Sequence, residues 1–372
     1  MKLAFVVYKY FPYGGMQRNF LRIARACQAR GHEVQIFTMG WDGDLPDGMV
    51  VHKEKIRALS NPAKYRKFKD WLVKQLATQV FDLVVGFNKM PGLDVYYCGD
   101  PCYEYKSRNL RPWWYRFTPR YRHFSRYEQA IFKRGAQTRI LMFSERQRDI
   151  FQQIYQTEPE RMVMLPPGIN RDRCVTDDYP QIRAAFRAEF NVAEDQLLLL
   201  SIGSGFRTKG LDRTIRALAD LPDDLRNRCK LFVIGQDDPR EFKLLAASSG
   251  VSGNITFFSG RDDVPRFLQG ADLLVHPAYA ENTGGVLLEA VVAGLPVLVT
   301  DVCGYARYIK EAGAGLIVNS PFSQQDFNDK LAAMMQADRS AWRNNAIEFS
   351  KSADIYSMPE RAAEAIEAAR IH

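Results

Sequence analysis

Asp272-Leu273-Leu274-Val275-His276-Pro277-Ala278-Tyr279-Ala280-Glu281-Asn282-Thr283-Gly284-Gly285-Val286-Leu287-Leu288-Glu289-Ala290 reads as one strand, one turn and one helix. Asp272–His276 is a short apolar run stopped by Pro277, which suits a buried strand. Thr283-Gly284-Gly285 opens a small-residue turn, and Val286–Leu288 starts an apolar helix. Such a unit, repeated, builds a parallel sheet covered by helices.

The same alternation extends in both directions. Strands are expected at Gln196–Ile202, Lys230–Ile234, Asn254–Phe258 and Pro296–Thr300, with helices between them. Toward the N-terminus, Leu3–Tyr8 is a strand. Gly14-Gly15 follows it, and a helix from about Met16 to Arg30 carries Phe20, Ile23, Ala24 and Cys27 on one face. Val34, Ile36 and Thr38 alternate as a second strand, and Asp82–Phe87, Asp94–Cys98 and Thr138–Phe143 supply others. Pro166-Pro167-Gly168 interrupts the pattern as a linker. The expected architecture is α/β, two doubly wound Rossmann-like domains facing a cleft. The domains span 1–167 and 168–350, and the tail 351–372 carries a last helix, about Pro359 to Ile371, that returns to the first domain. A length of 372 residues suits two domains.

Composition narrows the classes. The chain is 46% hydrophobic and 25% charged, ordinary for a globular protein. No apolar run approaches the roughly 18 residues that span a bilayer, and Leu3–Tyr8 stops at Lys9, which reads as a first strand rather than a signal peptide. The six cysteines form neither a disulfide framework nor a zinc set, so a reducing cytoplasm is expected. The net charge of +8 is concentrated. Between Lys106 and Arg139 lie ten Lys/Arg and one acid, Glu128, so this segment alone holds +9. It also interleaves eight aromatics, Trp113 and Trp114 among them. That mixture suits the headgroup layer of an anionic membrane, with Arg116, Arg120, Arg122 and Arg126 as candidate contacts. Nucleic acid would match the charge too, but no nucleic-acid motif accompanies it, so no nucleic-acid partner is expected.

Ligands of doubly wound sheets bind beyond the C-terminal strand ends, where loops lead into helices. Lys9–Gly15 is one such loop, and Gly14-Gly15 would admit a phosphate or sugar close to the backbone. Gly203-Ser204-Gly205-Phe206-Arg207-Thr208-Lys209-Gly210 is another. It lacks the third glycine of a dinucleotide fingerprint and the Lys-Ser/Thr of a P-loop. A flexible turn carrying Arg207 and Lys209 near a helix start remains, suited to a diphosphate. In the opening stretch, Glu281 lies in the loop and Glu289 about a turn into the helix. A carboxylate accepts from two vicinal hydroxyls, so one would hold a hexose and the other a ribose. Asp42-Gly43-Asp44 spells a metal-binding D-x-D but sits among turn residues. His123 is expected at the surface rather than as a base.

Glu281 and Glu289, separated by seven residues, resemble the E-x7-E motif of retaining GT-B glycosyltransferases. Gly14-Gly15, Lys209-Gly210 and Pro166-Pro167-Gly168 match, in order, the glycine loop, Lys-Gly and Pro-x-Gly of the GT4-type family. The resemblance covers essentially the whole chain. Tyr8–Pro12, Gly86–Asp94 and Val302–Tyr305 further resemble the lipopolysaccharide core glucosyltransferases that add the first outer-core hexose to an inner-core heptose.

The resemblance implies a UDP-sugar donor, UDP-glucose or a UDP-N-acetylhexosamine, and a lipid-anchored acceptor at the inner membrane. Glu281 would contact the hexose, and backbone around Asn282, Thr283, Gly284, Gly285 and Val286 would meet hexose hydroxyls and diphosphate. Glu289 would bind the ribose. Lys209, with Arg207, would neutralise the leaving group in place of a metal, so no metal or other cofactor is expected. Backbone near Gly260-Arg261 would meet the uracil. Asp100 stands where many relatives carry a histidine beside the reacting sugar.

Overall fold

The computed structural model describes residues 1–12 and 14–371; Tyr13, within the expected glycine loop, lies outside them. The chain divides into two compact units, one from Met1 to Gly168 joined by the segment from Tyr356 onward, the other Ile169–Ile355.

In chain order the first unit runs β1 (Lys2–Val7), α1 (Gly15–Ala29), β2 (Glu33–Thr38), β3 (Val50–Lys53), α2 (Asn61–Leu76), β4 (Leu83–Gly86) and β5 (Val95–Tyr97). It continues with α3 (Tyr103–Asn109), α4 (Pro119–Phe132), β6 (Arg139–Met142), α5 (Glu145–Tyr155) and β7 (Met162–Met164). All seven strands are parallel, in the order β3-β2-β1-β4-β5-β6-β7. Side chains alternate across a strand, so β1 feeds two cores. Leu3, Phe5 and Val7 pack with Phe20, Ile23 and Ala24 of α1 on one face. Ala4 and Val6 pack on the other with Phe68 of α2, Phe132 of α4 and Phe151 of α5.

The second unit comprises α6 (Tyr179–Glu189), β8 (Leu197–Ile202), α7 (Leu211–Asp220), α8 (Asp223–Asn227), β9 (Cys229–Ile234), α9 (Arg240–Ser248) and β10 (Ile255–Phe258). After these come α10 (Val264–Gly270), β11 (Leu273–His276), α11 (Gly285–Val292), β12 (Val297–Thr300), α12 (Ala306–Glu311), β13 (Gly315–Val318), α13 (Gln324–Gln336) and α14 (Ser340–Ser352). Its six parallel strands follow the order β10-β9-β8-β11-β12-β13. The order reverses between β8 and β11, which are neighbours in register at Leu199↔Leu273 and Leu200↔Leu274. That reversal is the topological switch point where such sheets take ligands.

The helix α15 (Met358–Glu367) closes the first unit. Met358, Ala362, Ala363 and Ile366 are buried with the β1 and α1 side chains, and Met358 lies so close to Gly168 that an added Cβ there would fall 2.6 Å from its Cε. The helix gives way to a 3-10 turn at Ala368–Ile371 rather than running on as an α-helix. The unit limits fall at Gly168 and Ile355, against expected limits at 167 and 350. Residues beyond 350 stay with the second unit because α14 reaches Ser352 and Ile355 is buried, its carbonyl accepting from Ile169 N at 2.9 Å.

Candidate active site

Because β8 and β11 are neighbours, the loops that follow them meet. Gly203, Gly205 and Gly210 take φ of 130°, 81° and 76°, a backbone that other residues rarely adopt. The Gly203–Gly210 loop is anchored rather than flexible as expected: Phe206 is buried and its N–H donates to Asp237 Oδ2 at 2.8 Å. Gly210 sits so tightly on the second loop that an added Cβ would lie 1.9 Å from the Pro277 carbonyl oxygen. Tyr279 N donates to Thr208 O at 2.9 Å. Arg213 Nη1 donates to Pro277 O and Ala278 O at 3.0 and 3.1 Å, and its guanidinium is stacked between Tyr279 and Phe322.

Lys209 and Glu281 are brought together as an ion pair, both mostly shielded from solvent. Burial pulls the Lys209 ammonium below its usual pKa, a shift the adjoining carboxylate opposes. Glu281 Oε1 accepts from Asn282 N at 3.1 Å, and Asn282 is buried. Gly284 (φ 82°) caps α11 without a side-chain hydrogen bond, and Gly285 opens it, with half-buried Val286 next. Thr283 O accepts from Tyr305 N at 2.8 Å, tying the turn to α12. Glu289 is half-buried one turn into α11.

Arg207 diverges from Lys209. It is exposed and ion-paired with Glu241 of α9. Arg261 makes a two-bond pair with Asp263 at 2.6 and 2.7 Å and stacks on Phe267 at 4.8 Å. The Asp263 carboxylate holds the Arg261 guanidinium above its usual pKa. Beyond the ends of β9 and β10 a cavity of about 580 Å³ opens, lined among others by Phe206, Gly235, Gln236, Phe257 and Phe258.

His276 was not singled out from the sequence, yet it adjoins the pair. It is 1% exposed, with Nε2 3.5 Å from Glu281 Oε2, and neither ring nitrogen has a hydrogen-bond partner among the described residues. Burial, then the Lys209 charge, push its pKa down to about 3. The available signal was a polar residue closing an otherwise apolar strand.

In the first unit, Gly14 is extended (φ −81°, ψ 131°) and precedes α1. Its lack of a side chain matters because an added Cβ would fall 1.9 Å from Gln17 Oε1 and 2.7 Å from Phe11 Cε2, whereas at Gly15 no described residue comes within 4 Å. Asp100 is exposed just past β5. The neighbouring Pro101 carbonyl accepts from Lys89 Nζ at 2.9 Å. Asp42 and Asp44 are exposed around Gly43 (φ 93°), as turn residues are. Among the described residues no group of three or more His, Cys, Asp or Glu is placed to hold a metal ion.

The basic segment folds as α3, a 3-10 turn at Trp113–Phe117, and α4. Its one acid is fully buried: Glu128 takes Lys89 Nζ at 2.5 Å, Tyr155 Oη at 2.7 Å, and the N–H groups of Tyr103 and Glu104 at 2.7 and 2.9 Å. Burial alone would raise that carboxyl, but Lys89 and the N–H donors hold it below its usual pKa. The outward face keeps the cations, with Arg116, Arg120, Arg122 and Arg126 exposed beside exposed Trp113, Trp114 and Phe117. His123, expected at the surface, is partly exposed there. It is half-buried against Tyr127 and Phe124, and burial lowers its pKa. No described helix is long and apolar enough to cross a membrane.

A model of the group 1 glycosyl transferases matches residues 182–351, and one of glycosyltransferase family 4 matches residues 13–173. The chain is 47% identical over 368 residues, 98% of each protein, to the lipopolysaccharide glucosyltransferase WaaG of Escherichia coli K12. The crystal structure of WaaG, a glycosyltransferase involved in lipopolysaccharide biosynthesis, superposes with a TM-score of 0.94 at 46% identity, over 98% of this chain and 99% of that one. Anabaena HepE in complex with UDP-glucose shares the fold alone, with a TM-score of 0.75 at 19% identity over 99% and 100% of the two chains. Two Rossmann-like units, matching models on both and near-complete alignment with WaaG lead to one conclusion: the chain belongs to the family 4, group 1 glycosyltransferases, enzymes of GT-B architecture that transfer a sugar from a nucleotide donor.

Proposed function

We propose that the chain transfers glucose from UDP-glucose, with retention, to an inner-core heptose of lipopolysaccharide at the cytoplasmic face of the inner membrane. The observation that carries this reading is the meeting of Lys209 with Glu281 across two loops locked by Gly210 and Pro277. The relationship to WaaG supports the acceptor class.

In this account the uracil occupies the cavity beside Phe257 and Phe258, near Gly260-Arg261, and Glu289 takes the ribose hydroxyls. The diphosphate draws the Lys209 ammonium, and Glu281 accepts from hexose hydroxyls. A retaining transfer passes through an oxocarbenium-like sugar while negative charge grows on the departing UDP. The Lys209 ammonium, once drawn to the diphosphate, and the N-terminal end of α11 stabilise that charge, most effectively where water is excluded. The departing phosphate then assists acceptor attack on the same face of the sugar. Asp100 orients sugar or acceptor.

Lys209 does a metal's electrostatic work, so transfer is expected to survive EDTA; activity lost on chelation and restored by Mg²⁺ or Mn²⁺ would overturn that assignment. The exposed Arg and Trp face of residues 106–139 docks on anionic lipid, where the acceptor is anchored. A thermal-shift screen tests the donor class. UDP-glucose and UDP should raise the melting temperature, and NAD and oligonucleotides should not. Stronger stabilisation by a UDP-N-acetylhexosamine would replace glucose as the donor, and stabilisation by oligonucleotides alone would overturn the reading.

A further inference from the structure

We infer that His276 is a positioning residue that takes over the Glu281 carboxylate when Lys209 leaves it for the donor diphosphate. The inference rests on the donor-site reading above and adds a rearrangement within it.

Two side chains approach one oxygen. Lys209 forms its ion pair with Glu281 Oε2, and His276 Nε2 stands 3.5 Å from the same atom. At that distance the imidazole makes no hydrogen bond. Its ring is nonetheless 1% exposed, and neither nitrogen has a partner among the described residues. A buried polar group in that condition costs about as much as a lost hydrogen bond and needs an explanation. Here the explanation is a bond made in the other state. Closing the gap to the ordinary range takes a shift of about half an ångström.

The chemistry favours exchange over sharing. The ring is neutral, its pKa pushed down to about 3 by burial and by the Lys209 charge. A neutral imidazole can offer Nε2–H to a carboxylate without repelling the ammonium already there. When the diphosphate attracts Lys209, Glu281 would otherwise be left as a shielded carboxylate with its cation gone, which is costly. His276 supplies the replacement donor and holds the carboxylate facing the hexose. Lys209 thus rests on Glu281 until the diphosphate takes it, and Glu281 then rests on His276.

Calorimetric titration with UDP, which carries the diphosphate but no hexose, isolates the exchange. His276→Phe should weaken UDP about tenfold, the size of one lost hydrogen bond to a charged group. His276→Gln, which can place an amide N–H near the Nε2 position, should stay within about twofold of wild type. Glu281→Gln removes the carboxylate from both ends of the exchange. On that background His276→Phe should change UDP affinity by less than about twofold.

A merely structural histidine would weaken UDP equally on both backgrounds, and that result overturns the inference. So does wild-type UDP affinity in His276→Phe. A second readout needs no variant. In ¹⁵N-histidine-labelled wild type, UDP should shift the His276 Nε2 resonance toward a hydrogen-bonded N–H, and an unchanged ring spectrum at saturating UDP would refute the exchange. Failure of wild type to bind UDP at all is a different outcome: it overturns the donor site and this inference with it.

Discussion

Replacing Gly210 by alanine should lower the stability of the second unit by about 3 kcal/mol or more. Two costs combine. An L-residue held at φ 76° is strained by about 1–2 kcal/mol. The new Cβ would also sit 1.9 Å from the Pro277 carbonyl oxygen, far inside contact distance, and the obstacle is backbone rather than a pliable side chain. To relieve the clash the 277–279 loop must retreat from α7. That stretches the Arg213 bonds to Pro277 O and Ala278 O and the Tyr279 N–H bond to Thr208 O. The two bonds from the charged Arg213 guanidinium are worth about 1.5–3 kcal/mol each when lost outright, so partial loss of one or both suffices. For a unit of this size the melting temperature should fall by roughly 6–12 °C. Scanning calorimetry reads the change directly. Gly285→Ala is the internal control: it has an open environment and no positive φ, so it should melt close to wild type. If Gly210→Ala melts with Gly285→Ala, the two loops are not locked as described, and the geometry attributed to Lys209 and Glu281 loses its support.

Three further outcomes are expected. Glu289→Ala should weaken UDP about ten- to hundredfold, the loss of hydrogen bonds to a charged group; unchanged affinity by calorimetric titration would remove Glu289 from the ribose. Replacing Arg116, Arg120, Arg122 and Arg126 together with Gln should reduce partition onto anionic vesicles about a hundredfold or more, with Arg116 contributing least because it lies 3.9 Å from Glu104. Flotation measures it, and equal flotation of the variant, or equal binding to neutral vesicles, would make the segment ordinary surface. His276 gives a pH dependence whose sign is set by its lowered pKa. The unfolded ring binds a proton below about 6.5 and the folded ring only below about 3, so stability falls as pH drops through that window. The loss near pH 5 is about 2 kcal/mol, and chemical denaturation should show it reduced in His276→Gln.

Much of this fold could be read from the residues because parallel strands buried on both faces leave short, continuous apolar runs. β8 and β11 are such runs, and each was expected within a residue of its observed ends. The strands without that signal went unread. β3 is a half-exposed Val-Val-His-Lys edge, β7 has three residues before a proline pair, and β13 is a partly exposed Gly-Leu-Ile-Val. Of the candidate site, the residues named from chemistry and spacing included Lys209 and Glu281, which the structure brings together. Spacing could say nothing of direction. Arg207 and Lys209 are two residues apart, yet one turns to Glu241 on the exposed side and the other inward to Glu281. Gly210 and Pro277 are likewise joined only by strand order, and His276 gained a role only when Glu281 Oε2 came within 3.5 Å of its ring. The basic segment was counted correctly as charge. Only folding shows that its single acid is turned inward onto Lys89, leaving the outer face to the cations.

The measurement closest to the central claim is transfer of labelled glucose from UDP-glucose to a lipopolysaccharide core truncated at its inner-core heptose, with the product linkage read by NMR. Glucose should appear on a heptose in α-linkage, and Lys209→Ala should abolish transfer while the protein remains folded. Absence of transfer from every UDP-sugar offered to that acceptor, or a β-linked product, would contradict the account.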